Sequence, residues 1–237
     1  MIRIFDNLAQ LSHASAQLIC DAAKKNISEK GNFSLVVSGG ETPRTTYELL
    51  SGNEFRSLID WDRVKIFFGD ERYVPHTNKE SNFKMVSETL LHHVPLPQQN
   101  IFPIDTDSTP KKDALKYEEV LKKNFPHSFP HFDLVLLGLG EDGHTASLFP
   151  HTPVLHEHSR WVKKVSVEDQ KNPRITLTPP PINAAAQIVF LVSGKKKSKV
   201  LYQVLKGKKN PDELPAQLIR GNIIWLIDRE AGSLLKD

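Results

Sequence analysis

Uninterrupted apolar runs alternate along this chain with segments of helical period. Leu8, Leu11, Leu18, Ile19, Ala22, Ala23 and Ile27 keep helical spacing and stop at Gly31, a residue suited to closing a helix. Phe33 to Val37 reads as a buried strand, and Thr42 followed by Pro43 matches the N-cap and first position of a helix carrying Tyr47, Leu49 and Leu50. Val64 to Phe68 predicts the next strand, Phe83, Val86, Leu90 and Leu91 a helix, and Ile101 to Ile104 a short strand. Thr109-Pro110 repeats the capping signature ahead of a helix lined by Ala114, Leu115, Val120 and Leu121. Later strand candidates are Phe132 to Leu137, Trp161 to Val167, Ile175 to Leu177, Ile188 to Val192 and Ile223 to Ile227. Val200, Leu201, Val204 and Leu205 mark a further helix, and Asp228 is placed to cap a last one.

This alternation, without internal repeats or low-complexity linkers, is the pattern of an α/β fold. Strands with no polar alternation are expected where both faces of a parallel sheet are covered, and ligands of such sheets bind beyond the carboxyl ends of the strands. The proline-rich pieces at His92 to Pro97 and Pro179 to Pro181 are too short for domain linkers, so residues 1–237 are expected to form one domain.

The run Phe132 to Leu137 feeds into Gly138, Gly140, Asp142, Gly143 and His144, which places a histidine at a strand end. The glycines formally satisfy the dinucleotide spacing G-x-G-x-x-G. That fingerprint requires an acidic residue about 20 positions on, whereas Glu157 comes early and in a His/Pro-rich loop. The glycines read better as backbone held close around His144, although a histidine near a turn is often only a satisfied structural group.

Two other strand ends carry candidate chemistry. Ser38-Gly39-Gly40-Glu41-Thr42-Pro43 joins a buried strand to a helix N-terminus, where free N–H groups and a partial positive charge suit a phosphate. A plain tight turn explains the same residues equally well. Glu41 must point away for an anion to bind, leaving the backbone and Thr42 to make the contacts. In Gly69-Asp70-Glu71-Arg72, alternation aims Asp70 and Arg72 the same way, towards a polar sugar and a developing negative charge, while Glu71 reads as a local structural residue. Arg174 and Lys197 lie at the edges of predicted strands, where a cation can reach over the sheet.

Composition excludes more than it proposes. The formal charge of +3 comes from scattered lysines, not from basic residues interleaved with stacking aromatics, so no nucleic acid is expected as partner. Mild basicity suits small anions. Cys20 is the single cysteine; it sits on an apolar helix face and reads as a buried, inert thiol. No apolar span of membrane length occurs, and a cytoplasmic protein is expected. His151, His156 and His158 lack the helix spacing of a zinc site, so no metal is expected there. Neither a G-x-S-x-G elbow nor a plausible cysteine nucleophile is present, which speaks against an acyl-enzyme.

Four ordered blocks carry a family resemblance: Ser38-Gly39-Gly40-x-Thr42-Pro43, Asp70-Glu71-Arg72-x-Val74-Pro75 with Ser81-Asn82, Gly138-x-Gly140-x-Asp142-Gly143-His144-Thr145-Ala146-Ser147-Leu148-Phe149-Pro150, and Arg174-Ile175-Thr176-Leu177-Thr178. With Trp225 and Asp228 also matching, the chain resembles the lactonase branch of the glucosamine-6-phosphate isomerase/6-phosphogluconolactonase superfamily nearly end to end. The resemblance implies a Rossmann-like open, mostly parallel sheet with helices on both faces, without a bound nucleotide or other cofactor. It also implies a sugar-phosphate lactone substrate, opened by a water that His144 activates as base. Arg72 is implied at the reacting centre, and Gly39, Gly40, Thr42, Arg174 and Lys197 as substrate and phosphate contacts. Asp142 is placed to orient His144, with Asp70 beside Arg72, either catalytic or only orienting, and a monomer is expected. Two alternatives stay open. An amino-sugar phosphate deaminase would need a carboxylate where Phe149 stands and an aromatic residue where Arg72 stands. A non-catalytic sugar-phosphate sensor would need neither His144 nor Arg72.

Overall fold

The computed structural model describes residues 1–126, 128–167 and 171–235. Its main sheet contains β1 (Ile2–Phe5), β2 (Phe33–Val37), β3 (Val64–Phe68), β5 (Ile101–Phe102), β6 (Leu134–Leu137), β9 (Ile188–Val192) and β10 (Ile223–Asp228). Their order is β1-β10-β9-β6-β2-β3-β5, and every pairing is parallel. A second, antiparallel sheet joins β4 (Asp70–Arg72), β8 (Arg174–Leu177) and β7 (Val162–Val165) in the order β4-β8-β7. The apolar strands lie where their composition predicts: β2, β6 and β9 are buried at every residue.

The helices are α1 (Leu8–Lys30), α2 (Glu41–Ser51), α3 (Asn82–Val86), α4 (Pro110–Asn124), α5 (Pro179–Asn183) and α6 (Ser198–Lys206). The crossovers through α1 and α2 run one way along the sheet, and those through α4 and α6 run the other. Right-handed connections therefore place α1 and α2 together on one face and α4 and α6 on the opposite face. The direction reverses between the neighbours β2 and β6, so the ligand crevice of an open sheet belongs at their carboxyl ends.

Most predicted elements form, with instructive departures. α1 starts on Asn7, whose side chain accepts from Gln10 N at 3.0 Å, and ends on Gly31 at φ 84°. Burial pushes the Cys20 thiol inside it up to about 11. Thr109 caps α4 as expected. Thr42 does not cap α2: Gly40 at φ 108° holds that position, and Pro43 sits deeper in the first turn, where a missing N–H still costs no intrahelical bond. Leu115 faces outward, and α4 instead buries Asp113, Ala114, Tyr117, Glu118 and Leu121. The helix from Phe83 closes with a π turn over Ser87–Leu91. Asp228 caps no helix, because the described chain after β10 forms only turns.

Two buried tyrosines finish the strands that lead to the site. The Tyr47 hydroxyl accepts from Ser38 N and donates to Ser38 O, each at 3.0 Å. Tyr117 does the same for Phe68 N and O, at 2.8 and 3.0 Å. Each hydroxyl supplies both hydrogen bonds that a further ladder partner would have made, so the backbone enters its loop already fixed.

Candidate active site

The ends of β2, β3, β6 and β9 surround a cavity of about 370 Å³ at the switch point. Gly39, Gly40, Thr42, Asp70, Arg72, His144, Arg174 and Lys197 all line it. A hollow of about 430 Å³ beside Trp61 lies elsewhere on the surface and gathers no comparable set of groups. Of the predicted site residues only Asp142 does not line the cavity; it stands behind His144.

His144 is held on three sides. Its Nδ1 lies 2.5 Å from Asp142 Oδ1, and its backbone N donates to the same oxygen at 3.1 Å. A Cβ on Gly140 would fall 2.0 Å from Nδ1, so the imidazole rests on bare backbone there. The Phe149 ring packs with its centroid 4.4 Å from that of the imidazole. Burial opposes the charge of Asp142, but hydrogen bonding and charge from His144 outweigh it and hold the carboxyl below the usual carboxylate range. An ionised Asp142 accepts the Nδ1 proton, which leaves Nε2 as the ring nitrogen with a free lone pair. After β6 the chain forms turns instead of a helix, so the dinucleotide reading lacks its essential element.

The loop bearing His144 is tied to the antiparallel sheet. Ser147 Oγ donates to Asp70 Oδ2 at 2.5 Å, and Ser147 N donates to Thr176 Oγ1 at 3.2 Å. Asp70 also accepts from Asn82 Nδ2, through its carbonyl at 2.9 Å and Oδ1 at 3.3 Å. The same amide packs against Gly39, where a Cβ would lie 1.9 Å from Asn82 Oδ1. Ala146, at φ 48°, is a non-glycine residue in the left-handed region inside this turn.

Alternation separates the neighbours of Asp70 as expected. Arg72 joins it on the cavity, its Nη1 donating to Glu80 O at 2.7 Å. Glu71 turns into the protein and accepts from the backbone of Arg72, Asn82 and Phe83, each at 2.7 Å. Burial pushes the Glu71 carboxyl up, against the pull of those N–H groups. Its role is to seat the start of α3, and among the described residues no ion pair involves it.

Lys197 is half-buried while Lys195 and Lys196 are exposed. Burial lowers its pKa, and the charges of Glu141 and Asp142 oppose that shift. Glu41 stands with an exposed side chain, 3.7 Å from Arg44. His151 and His156 face Glu213 and Asp212 at 3.3 and 3.0 Å.

Comparison with known proteins fits this geometry. The sequence model of the glucosamine-6-phosphate isomerases/6-phosphogluconolactonase family matches residues 6–225. The chain belongs to that family. It is 40% identical over 227 residues, 92% of either chain, to a 6-phosphogluconolactonase of Synechocystis sp.. The solved 6-phosphogluconolactonase of Trypanosoma brucei superposes with a TM-score of 0.86 at 30% identity, covering 100% of this chain and 98% of that one. A monomeric glucosamine-6-phosphate deaminase superposes with a TM-score of 0.85 at 21% identity, covering 98% and 99%, and shows a shared fold alone.

Within this family fold, Asn82, Ser147, Thr176 and Phe149 support the site through contacts that their local sequence does not show. All four lie inside the matching blocks. Their positions there were visible; their partners, 12 to 77 residues away for the contacts of Asn82 and Ser147 with Asp70, were not. No helix of the described residues is long and apolar enough to cross a membrane.

Proposed function

We propose that this protein hydrolyses 6-phospho-D-glucono-1,5-lactone to 6-phospho-D-gluconate, the second step of the oxidative pentose phosphate pathway. The observation that carries the reading is the imidazole of His144, fixed at Nδ1 by Asp142 and facing a cavity that also holds Arg72, Arg174 and Lys197. Full-length relatives named 6-phosphogluconolactonase support the substrate.

Nε2 takes a proton from water as the oxygen attacks the lactone carbonyl. Arg72 stabilises the resulting oxyanion. Collapse breaks the bond to the ring oxygen, which recovers the proton from Nε2, so one residue serves as base and then acid and the lactone gains one water. Arg174, Lys197, Thr42 and the backbone at Gly39 and Gly40 hold the phosphorylated substrate, and Asp142 fixes the tautomer of His144. Asp70 acts by holding Ser147 and Asn82 in place. These steps use protein groups alone, without metal or cofactor. We also read the protein as a cytoplasmic monomer of one domain; sedimentation of the purified chain measures its oligomeric state.

The test is a coupled assay on freshly generated lactone, read against spontaneous hydrolysis. The wild-type chain should accelerate the reaction, and His144→Ala should nearly abolish the acceleration while binding 6-phosphogluconate about as well. Wild-type turnover by His144→Ala would make the histidine structural.

A further inference from the structure

Asp228 is a buried acid at the end of β10, remote in sequence from every residue of the proposed mechanism. Its carboxylate does not cap a helix. It gathers the start of the loop that follows β9: Ser193 Oγ donates to Oδ2, and Gly194 N lies 3.1 and 3.0 Å from Oδ1 and Oδ2. Ala231 N adds a third donor at 2.7 Å. Directly after Gly194 the chain makes the turn Lys195–Lys197 that leads into α6. Gly194 itself stands at φ 94° as the cap of that turn, a left-handed conformation that glycine reaches without steric cost. Ser193 and Lys197 line the cavity, whereas Asp228 does not.

We infer that Asp228 is a positioning residue for substrate binding, acting through the Ser193–Lys197 turn to set the ammonium of Lys197 at the anionic group of the ligand. The inference rests on the phosphate role given to Lys197 above. A carboxylate suits this task because its charge is consumed by backbone N–H groups and a hydroxyl, so it fixes the turn without presenting a bare anion to the ligand. β10 is a firm anchor: it pairs with β9 over five residues, and Trp225 stacks on Phe190 at 3.9 Å.

The decisive experiment is a double-mutant cycle on 6-phosphogluconate affinity, measured by calorimetry with wild type, Asp228→Ala, Lys197→Ala and the double variant. Asp228→Ala should weaken binding about tenfold, and the same change in the Lys197→Ala background should add less than about twofold, the signature of one residue acting through another. Asp228→Asn, which keeps an acceptor for Gly194 N, should recover most of the affinity. In turnover, Asp228→Ala should raise KM while keeping kcat within about twofold. If Asp228→Ala fails to fold, Gly194→Ala replaces it in the cycle: a Cβ there meets open space, so only the turn is strained, and the same loss is expected. Additive losses, unchanged affinity, or a fall in kcat with KM constant would overturn the inference. Failure of the wild type to hydrolyse the lactone would instead overturn the proposed function, and the cycle would still read on binding.

Discussion

Arg72 and Arg174 stand directly opposite one another in the β4–β8 ladder, and both line the cavity. Like charges in facing positions destabilise an antiparallel pair. Burial and then the charge of Arg72 lower the pKa of Arg174, against the charges of Asp70, Glu71 and Glu80, so two cations face one cavity. Such a site should be stabilised by its ligand.

The two arginines should separate kinetically. Arg174→Ala is expected to weaken 6-phosphogluconate at least about tenfold, since charge-assisted contacts are worth roughly 1.5 to 3 kcal/mol. Arg72→Ala should act on kcat, by on the order of a hundredfold for a lost oxyanion partner. Thermal shifts check the first claim independently: 6-phosphogluconate should raise the Tm of the wild type and raise that of Arg174→Ala much less at equal concentration. Equal shifts would put the phosphate elsewhere.

Gly140→Ala tests the clamp on His144. The added methyl would fall 2.0 Å from Nδ1 and 2.5 Å from Asp142 Oδ1, so the imidazole must move. A misplacement of about 1 Å can cost a hundredfold in rate. We expect kcat to fall by at least about tenfold, with 6-phosphogluconate binding kept within about threefold, because the phosphate contacts proposed for Thr42, Arg174 and Lys197 lie on other loops. A variant with wild-type kcat would show that the ring needs no such seat.

Asp142→Asn keeps the shape of the side chain but removes its charge and replaces one acceptor oxygen by a donor NH2. An amide can donate to Nδ1, which would leave the proton on Nε2 and remove the base; loss of this kind in an Asp–His pair reaches about 10⁴-fold. The same substitution has a pH signature in stability. The carboxyl of Asp142 is depressed in the folded protein, so its contribution is present above its unfolded value of about 3.9 and is lost as pH falls through the folded value. Urea denaturation from pH 6 down to about 2 should therefore show the gap between wild type and Asp142→Asn closing on acidification. A gap that widens would reverse the sign of the pairing.

The sequence made the parallel sheet and the residues of its crevice visible because both have local signatures: β2, β3 and β9 begin and end where their apolar runs do. β1 escaped because its exposed residues, Ile2 and Ile4, look like no core-facing pattern, and it exists by pairing with β10 more than 220 positions away. β4 escaped for a related reason. Asp-Glu-Arg has poor strand propensity, and the segment is extended because β8 pairs with it. The links Ser147 to Asp70 and Gly194 to Asp228 are likewise long-range, so motif residues could be listed one by one while their mutual support stayed hidden.

Phe149 separates lactone hydrolysis from amino-sugar deamination, since deamination with ring opening needs a further proton carrier where this buried ring stands. The ring packs on His144 and has the Arg174 guanidinium 6.0 Å from its centroid. The protein should release no ammonia from glucosamine 6-phosphate while hydrolysing the lactone. Phe149→Glu should not create a deaminase, because Arg72 and the rest of the cavity are unchanged. It should cost about 3 kcal/mol of stability, the scale of losing a buried phenylalanine, with a carboxylate newly placed in an apolar setting. The new charge would also compete for Arg174, so phosphogluconate affinity should fall along with Tm. Ammonia release by the unmodified chain at a rate comparable with lactone hydrolysis would overturn the assignment.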